Sequence, residues 1–262
     1  TSNYNIDKKK YRFSFRKYIK NSLRHLMRGE WLGLGYFLMS ETGNYFLKMK
    51  LFYANKKLFC PICKYSSPYF RHLSNPIAIS WNSACPNCNS RSRHRGLIFL
   101  YREYLENIKK SKILHFAPEE VLRNEITNLS HFEYFTTDIE MNNVDFPKED
   151  IQNLSFSNAT FDFIMINHVL EHVQDDELAI SELSRILKIN GVAFITIPGD
   201  WKRRHTKFYK KIDYNGHYRD YGLDVTNLFS KYFKIVRKIN LFKYDGKKYA
   251  IKNIEPAFVC IK

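Results

Sequence analysis

The chain has 262 residues, of which 44% are hydrophobic and 16% aromatic; it is long enough to bury its own core and too apolar to be disordered or low-complexity. Lys and Arg total 42 against 26 Asp and Glu, a formal charge of +16. That charge says little about fold but favours an anionic partner: nucleic acid, a membrane surface or a phosphorylated substrate.

Residues 1–58 form a basic, aromatic-rich segment, with 13 Lys and Arg against 3 acids, or +10 of the total charge. Read as a helix, 13–27 puts Phe15, Ile19, Leu23 and Leu26 on one stripe and Arg12, Arg16, Lys20 and Arg24 on the next. Such a basic amphipathic helix suits an anionic membrane, contacted through residues 8–28, or RNA; it equally suits a helix packed on the main domain with a solvated basic face. The first twenty residues lack an apolar signal core. Residues 31–39 are a nine-residue apolar run with two glycines, far short of the roughly 20 residues of a membrane span. The expected location is therefore cytoplasmic, with the inner membrane face as a candidate peripheral site.

Residues 59–96 read as a zinc-binding module. Cys60-Pro-Ile-Cys63 and Cys85-Pro-Asn-Cys88 stand 21 residues apart. Two Cys-x-x-Cys turns supply the four thiolates of a tetrahedral zinc site, and four protein ligands leave no open position, so the ion is expected to be structural. Fewer than 40 residues bury little core, so metal would supply the folding energy. His72 and His94 are alternative ligands that four thiolates make unnecessary. Cys260, in an apolar C-terminal stretch, reads as a buried free thiol.

Residues 97–262 alternate apolar strands with amphipathic helices, which predicts an α/β fold with a mostly parallel sheet. The expected strands are 112–116, 134–137, 161–166 and 192–197, with a closing pair at 233–236 and 257–261. The expected helices are 97–105, 119–129 and 176–187, the last stopped at Asn190-Gly191 with Gly191 as a left-handed cap. Ligands of such sheets bind beyond the carboxyl ends of the strands. Those ends carry Ala117-Pro118-Glu119, Asp138, Asp150-Ile151, and Asn167-His168-Val169-Leu170-Glu171-His172. Glu171 and His172 read either as part of the site or as a surface turn.

Over about residues 110–262 these motifs resemble class I S-adenosylmethionine-dependent methyltransferases of the type-11 small-molecule kind. The resemblance rests on Ile113-Leu-His-Phe-Ala-Pro-Glu119, Asp138, Asp150-Ile-Gln-Asn-Leu154, Phe161-Asp162, Val169-Leu-Glu-His-Val173 and Leu187-Lys-Ile-Asn-Gly191. A bacterial subgroup found among polysaccharide-modifying enzymes is similar further upstream, with paired cysteine knuckles and a run like Arg93-His94-Arg95. The resemblance implies a Rossmann-like seven-stranded sheet and S-adenosylmethionine as cofactor. It implies that Asp138 accepts from the ribose hydroxyls, that Asp150 and Ile151 lie at the adenine edge, and that Asn167 and His168 line the methionine moiety. The first motif, with His115, Ala117, Pro118 and Glu119, stands where the family usually has Asp-x-Gly-x-Gly-x-Gly. Missing glycines argue against a dinucleotide, whose pyrophosphate needs close backbone approach, and are tolerable for a donor without phosphate. Glu119 suits the donor's positively charged end.

An alcohol acceptor needs help losing its proton, and histidine is suited to that. The candidates are His168, His172, His205 and His217. His217 is the favoured base and Arg219 the favoured acceptor contact, both in an acceptor lid at about 199–225; alternatively both merely brace that lid. Lys202, Arg203, Arg204, Lys207, Lys210 and Lys211, with Arg91, Arg93 and Arg95, favour an acceptor bearing phosphate, a nucleotide handle or glycan. The leading expectation is O-methylation of such an acceptor in surface polysaccharide biosynthesis. One alternative is an rRNA or tRNA methyltransferase that binds RNA through the zinc module and basic N-terminus. The other is a non-catalytic zinc-ribbon protein on a degenerate methyltransferase fold.

Overall fold

The structure, a computed structural model, describes residues 15–48, 58–75, 78–106, 108, 110–128, 132–252 and 255–262. The basic run at 8–14 lies outside the described residues. The chain divides into two compact units, Thr1–Phe99 with Phe242–Lys252, and Leu100–Leu241 with Asn253–Lys262.

The first unit begins with α1 (Phe15–Met27) and α2 (Trp31–Lys48). Gly29, at φ +65, makes the left-handed turn between them. His25 meets Glu30 at 2.7 Å across this turn. Short strands follow: β1 (Leu58–Phe59) pairs with β2 (Ser66–Ser67), and β3 (Arg71–Asn75) pairs with β4 (Ala78–Ala84). Asn44 on α2 clamps β3 through both halves of its amide: Nδ2 donates to the His72 carbonyl at 3.1 Å, and Oδ1 accepts from the His72 N–H at 2.7 Å. The helix α3 (Ser92–Leu105) starts five residues before the expected position. Residues 242–252, inside the expected 97–262 segment, group with this unit.

The second unit is built on a seven-stranded sheet. Its strands are β5 (Ser111–Phe116), β6 (Phe132–Asp138), β7 (Phe146–Pro147), β8 (Phe161–Asn167), β9 (Leu187–Thr196), β12 (Ile235–Asn240) and β13 (Pro256–Ile261). The order across the sheet is β12-β13-β9-β8-β5-β6-β7. Neighbours from β7 to β9 run parallel, and β13 is antiparallel to both β9 and β12. This is an α/β fold with a Rossmann-like mixed sheet. The middle strand β8, Phe-Asp-Phe-Ile-Met-Ile-Asn, has six of its seven residues buried, the near-continuous apolar run of a strand covered on both faces. The helices include α4 (Glu120–Thr127), α5 (Asp176–Ile186) and α6 (Val225–Ser230). Asp175 caps α5 by accepting from Leu178 N–H at 3.0 Å. Ala179, Ile180, Leu183 and Ile186 of α5 are buried in the core. Between β9 and α6 the lid holds a two-residue hairpin, β10 (Lys207–Phe208) with β11 (Arg219–Asp220).

One expectation is corrected here. Gly191 is not a helix cap: α5 ends at Ile186, and Leu187 turns extended straight into β9. The pairing with β8 jumps from Leu187 to Val192, and within this bulge Asn190 takes the left-handed conformation at φ +64. Gly191 matters for closeness instead, since a Cβ there would lie 2.8 Å from the Lys188 carbonyl.

Candidate functional site

The sheet order reverses between β5 and β8, which opens a crevice beyond their carboxyl ends. Register places Phe116 opposite Thr137 and Ile166, and Asn167 opposite Thr196. Ala117, Asp138, Asn167 and His168 therefore leave the sheet at one height along one edge. Ala117 (φ +47) and His168 (φ +56) are both left-handed. Each is fixed by its own N–H, to the Thr137 carbonyl at 2.9 Å and the Thr196 carbonyl at 2.8 Å. Ala117 thus takes the turn that a glycine would take more cheaply, with the smallest side chain that has a Cβ. Pro118 follows, and Glu119 is the N-cap of α4 without using its side chain to cap.

Asp138 is half-buried, and its Oδ1 accepts from the N–H groups of Glu140 (2.7 Å) and Met141 (2.8 Å). Asp150 holds its own loop in the same way through Gln152 N–H at 2.9 Å, and Ile151 is buried. His115 and Asn167, both expected at the cofactor, lie beneath the edge in a buried chain of hydrogen bonds. Asn167 Nδ2 meets His115 Nε2 at 3.3 Å, and His115 Nδ1 meets the Tyr134 hydroxyl at 2.8 Å. Asn167 Oδ1 accepts from Tyr101 and Thr196, each at 3.1 Å. Burial pushes the phenols of Tyr101 and Tyr134 well up, so both stay neutral; Tyr101 donates to Asn167, and Tyr134 accepts from His115 Nδ1, because Asn167 Nδ2 donates to Nε2. This network gives the edge a rigid polar floor.

Three of the four candidate histidines converge on the 3-10 turn Leu170–His172 that follows β8. Glu171 there is fully buried, and its Oε1 lies 3.0 Å from His168 Nδ1. His168 Nε2 also faces Glu255 at 3.3 Å. The His172 and His217 rings meet edge to face at 4.8 Å. Gly216, at φ +88, directs its carbonyl to His172 Nδ1 at 3.1 Å. Asp213 approaches His217 Nδ1 at 3.4 Å and accepts from its backbone N–H at 2.9 Å. Burial holds His217 below the usual imidazole value, with Asp213 and Glu171 opposing it. His205 sits apart, largely exposed beside Asp224.

A cavity of about 500 Å³ opens beside this turn, lined by residues that include Gln152, Asp175, Asp176, Glu177, Phe208 and Tyr209. Tyr218 and Arg219 complete that side of the lining. Arg219 is buried, with its guanidinium on the Val173 and Gln174 carbonyls (2.8 and 2.6 Å) and on Asp176 at 2.6 Å, so it braces the lid. Arg203 is likewise tied to Asp220 and to the Tyr221 carbonyl. Lys202, Arg204, Lys207, Lys210 and Lys211 are exposed. The cavity wall is acidic and aromatic rather than cationic.

In the first unit the four cysteines gather as expected, with one sulfur from each within 4.8 Å of the others. Cys60–Cys88 and Cys63–Cys85 are each 3.7 Å apart, too long for disulfides and close to the edge of about 3.8 Å of a tetrahedron with zinc–sulfur bonds of about 2.3 Å. The two turns are built alike. Lys64 N–H returns to the Cys60 carbonyl and Asn89 N–H to the Cys85 carbonyl, at 2.9 and 3.0 Å, and Lys64 and Asn89 are left-handed at φ +59 and +60. His72 and His94 are buried outside the cluster, their Nδ1 atoms accepting from the N–H groups of Asn82 and Arg91. Arg95, expected to meet phosphate, is fully buried and donates to the carbonyls of Ser83, Ser90, Tyr249 and Ala250. Burial pushes its pKa down to about 10, and the neighbouring cysteines raise it. Cys260 is a buried thiol, pushed up by desolvation.

Residues 116–195 match the family model of the methyltransferase domain. The match runs from the last residue of β5 into the end of β9, the span that carries the crevice edge. No curated protein matches the chain. Among solved structures, it is similar to the YcgJ protein of Bacillus subtilis (13% identity, TM-score 0.44, 64% of this chain and 96% of that one). It is also similar to a Burkholderia thailandensis 1,6-didemethyltoxoflavin-N1-methyltransferase with bound S-adenosylhomocysteine (12%, 0.49, 64% and 77%). A third is a SAM-dependent methyltransferase of Archaeoglobus fulgidus (14%, 0.47, 64% and 94%).

Sequence reasoning missed the buried supports of the crevice edge. Tyr101, Tyr134 and Thr196 carry no local signal, because their partners lie 19 to 66 positions away. Glu171 was read as part of the site or as a surface turn, and its full burial rules out the surface turn.

Proposed function

We propose that the chain is an S-adenosylmethionine-dependent methyltransferase that methylates an oxygen of a glycan acceptor in surface polysaccharide synthesis. The observation that carries this reading is the coincidence of the family match with a crevice edge whose backbone and acids suit a nucleoside. When bound, S-adenosylmethionine supplies an electrophilic methyl group on a positively charged sulfur. Asp138 accepts from the ribose hydroxyls, and the Ala117-Pro118-Glu119 loop borders the donor's amino-acid end, with Glu119 facing its positive charge. Asp150 and the Ile151 backbone lie toward the adenine, and His168 borders the methionine portion. His115 and Asn167 act from below by stiffening the edge.

The His172–His217 pair handles the proton of the acceptor hydroxyl. Burial favours neutral His217, the form that takes a proton. The cavity wall sets three carboxylates against Arg219, which Asp176 and two carbonyls already hold, so it disfavours a phosphate, whereas carboxylates beside Phe208, Tyr209 and Tyr218 suit sugar hydroxyls and ring faces. Glycan is therefore preferred among the expected acceptors. The four cysteines hold a structural zinc ion, whose −2 tetrathiolate site Arg95 offsets.

A second feature bears on location. No described helix is long and apolar enough to cross a membrane. Yet Ile19, Leu23, Leu26, Trp31 and Leu32 are exposed, near the exposed Lys20 and Arg24. Apolar side chains among cations favour peripheral contact with an anionic bilayer over RNA.

The test is calorimetry with S-adenosylhomocysteine. The parent chain binds it, and Asp138→Ala weakens binding by about 10-fold or more, the loss of a charged hydrogen-bond acceptor, with a small drop in melting temperature because the Glu140 and Met141 N–H groups lose their acceptor. No binding by the parent chain overturns the enzyme reading.

A further inference from the structure

The turn after β8 contains an anomaly that proton handling alone does not explain. Glu171 is fully buried, and its Oε2 has no hydrogen-bond partner among the described residues. A buried carboxylate oxygen left in this way is costly and calls for a positive partner. Two imidazoles stand before it: one ligand atom each from Glu171, His172 and His217 lies within 4.8 Å of the others.

The surroundings of the two rings orient them. His172 Nδ1 faces the Gly216 carbonyl at 3.1 Å, which only accepts, so Nδ1 carries the proton. His217 Nδ1 lies 3.4 Å from the Asp213 carboxylate, close enough to orient the ring as an ion pair. The Gly216 contact therefore leaves the lone pair of neutral His172 on Nε2. Metal-binding histidines are oriented in this way, the second nitrogen donating to a carbonyl or carboxylate.

We infer that Glu171, His172 and His217 form a binding site for a first-row divalent cation. Two imidazoles and one carboxylate are the donor set of open, three-ligand metal sites. Such a set is harder than the four thiolates of the cysteine cluster, so the two sites differ in preference. The positions not filled by protein take oxygen ligands. Resting on the methyl-transfer reading, those are the acceptor's hydroxyls. A cation there acidifies the hydroxyl it holds, and the proton then leaves to water; with the cation absent, the His172–His217 pair takes that proton itself.

The experiment titrates the zinc-loaded chain with Co2+ and follows visible absorption. The expected result is one further equivalent bound, without the thiolate charge-transfer band that cobalt in the cysteine site would give. His172→Ala and His217→Ala each weaken binding by about 10-fold or more, and Asp213→Asn, which only loosens the His217 ring, by about 10-fold. Glu171→Gln tests folding as well as binding, so the exposed His172 carries the decision. No Co2+ beyond the cysteine site at millimolar concentration, or a titration unchanged in His172→Ala, overturns the inference. Calorimetry with S-adenosylhomocysteine on the same samples separates the two readings. Cobalt bound without the nucleoside supports the cation site and sinks methyl transfer; the nucleoside bound without cobalt does the reverse.

Discussion

Around Cys60 and Cys85 the chain commits its order to four thiols, two left-handed knuckle residues and one buried arginine; in β8 and α5 it commits it to Phe161, Ile164, Ile166, Ile180 and Leu183. On the proposed zinc reading, the first arrangement depends on a ligand that folding must recruit. The second depends on apolar surface that the chain carries with it. Short strands such as β1 and β2, two residues each, cannot stand on burial alone. The seven-stranded sheet can. The lesson concerns polar atoms as much as apolar ones: Arg95 and the Tyr101–Asn167–His115 chain are both buried polar systems, one beside the cysteine cluster and the other beneath the crevice.

The largest effect that would sharpen this contrast is metal removal. A structural zinc ion supplies about 10 kcal/mol or more to folding. A strong chelator should strip amide-exchange protection from β3 and β4 while β5 and β8 keep theirs. Equal loss in both units, or retention in both, breaks the comparison. Next comes Leu183→Ala. This residue is fully buried in the core of the sheet unit, so its truncation should cost about 2–5 kcal/mol in denaturant unfolding without changing zinc content. The smallest is Tyr101→Phe, which removes one hydroxyl from Asn167 and should cost about 1 kcal/mol. Its S-adenosylhomocysteine affinity should fall less than that of Asp138→Ala, because Tyr101 acts through Asn167 and not on the ligand.

The cysteine cluster was the most legible part of the molecule before any fold was known. Paired knuckles fix their own geometry locally, so spacing alone announces four converging sulfurs. The parallel sheet was legible almost as well, since strands buried on both faces read as unbroken apolar runs. Helix and strand limits drifted by a few residues, and Gly191 was misread because the tight passage from α5 into β9 depends on how β9 pairs with β8. The lid misled most. Its lysines and arginines suggested a cationic acceptor pocket, yet Arg219 and Arg203 turn inward to brace backbone carbonyls, and the open wall is acidic.

Composition and spacing by themselves determined the α/β class, the sulfur cluster and the run of polar residues at the strand ends, because each follows from periodicity or from contacts a few residues apart. Only the tertiary structure decided that Arg95 is a buried brace and that His115 lies under the crevice instead of in it. It alone decided that Glu171 meets His217 from 46 positions away. Those outcomes depend on which distant backbone carbonyl or carboxylate reaches a side chain first, and no local pattern encodes that.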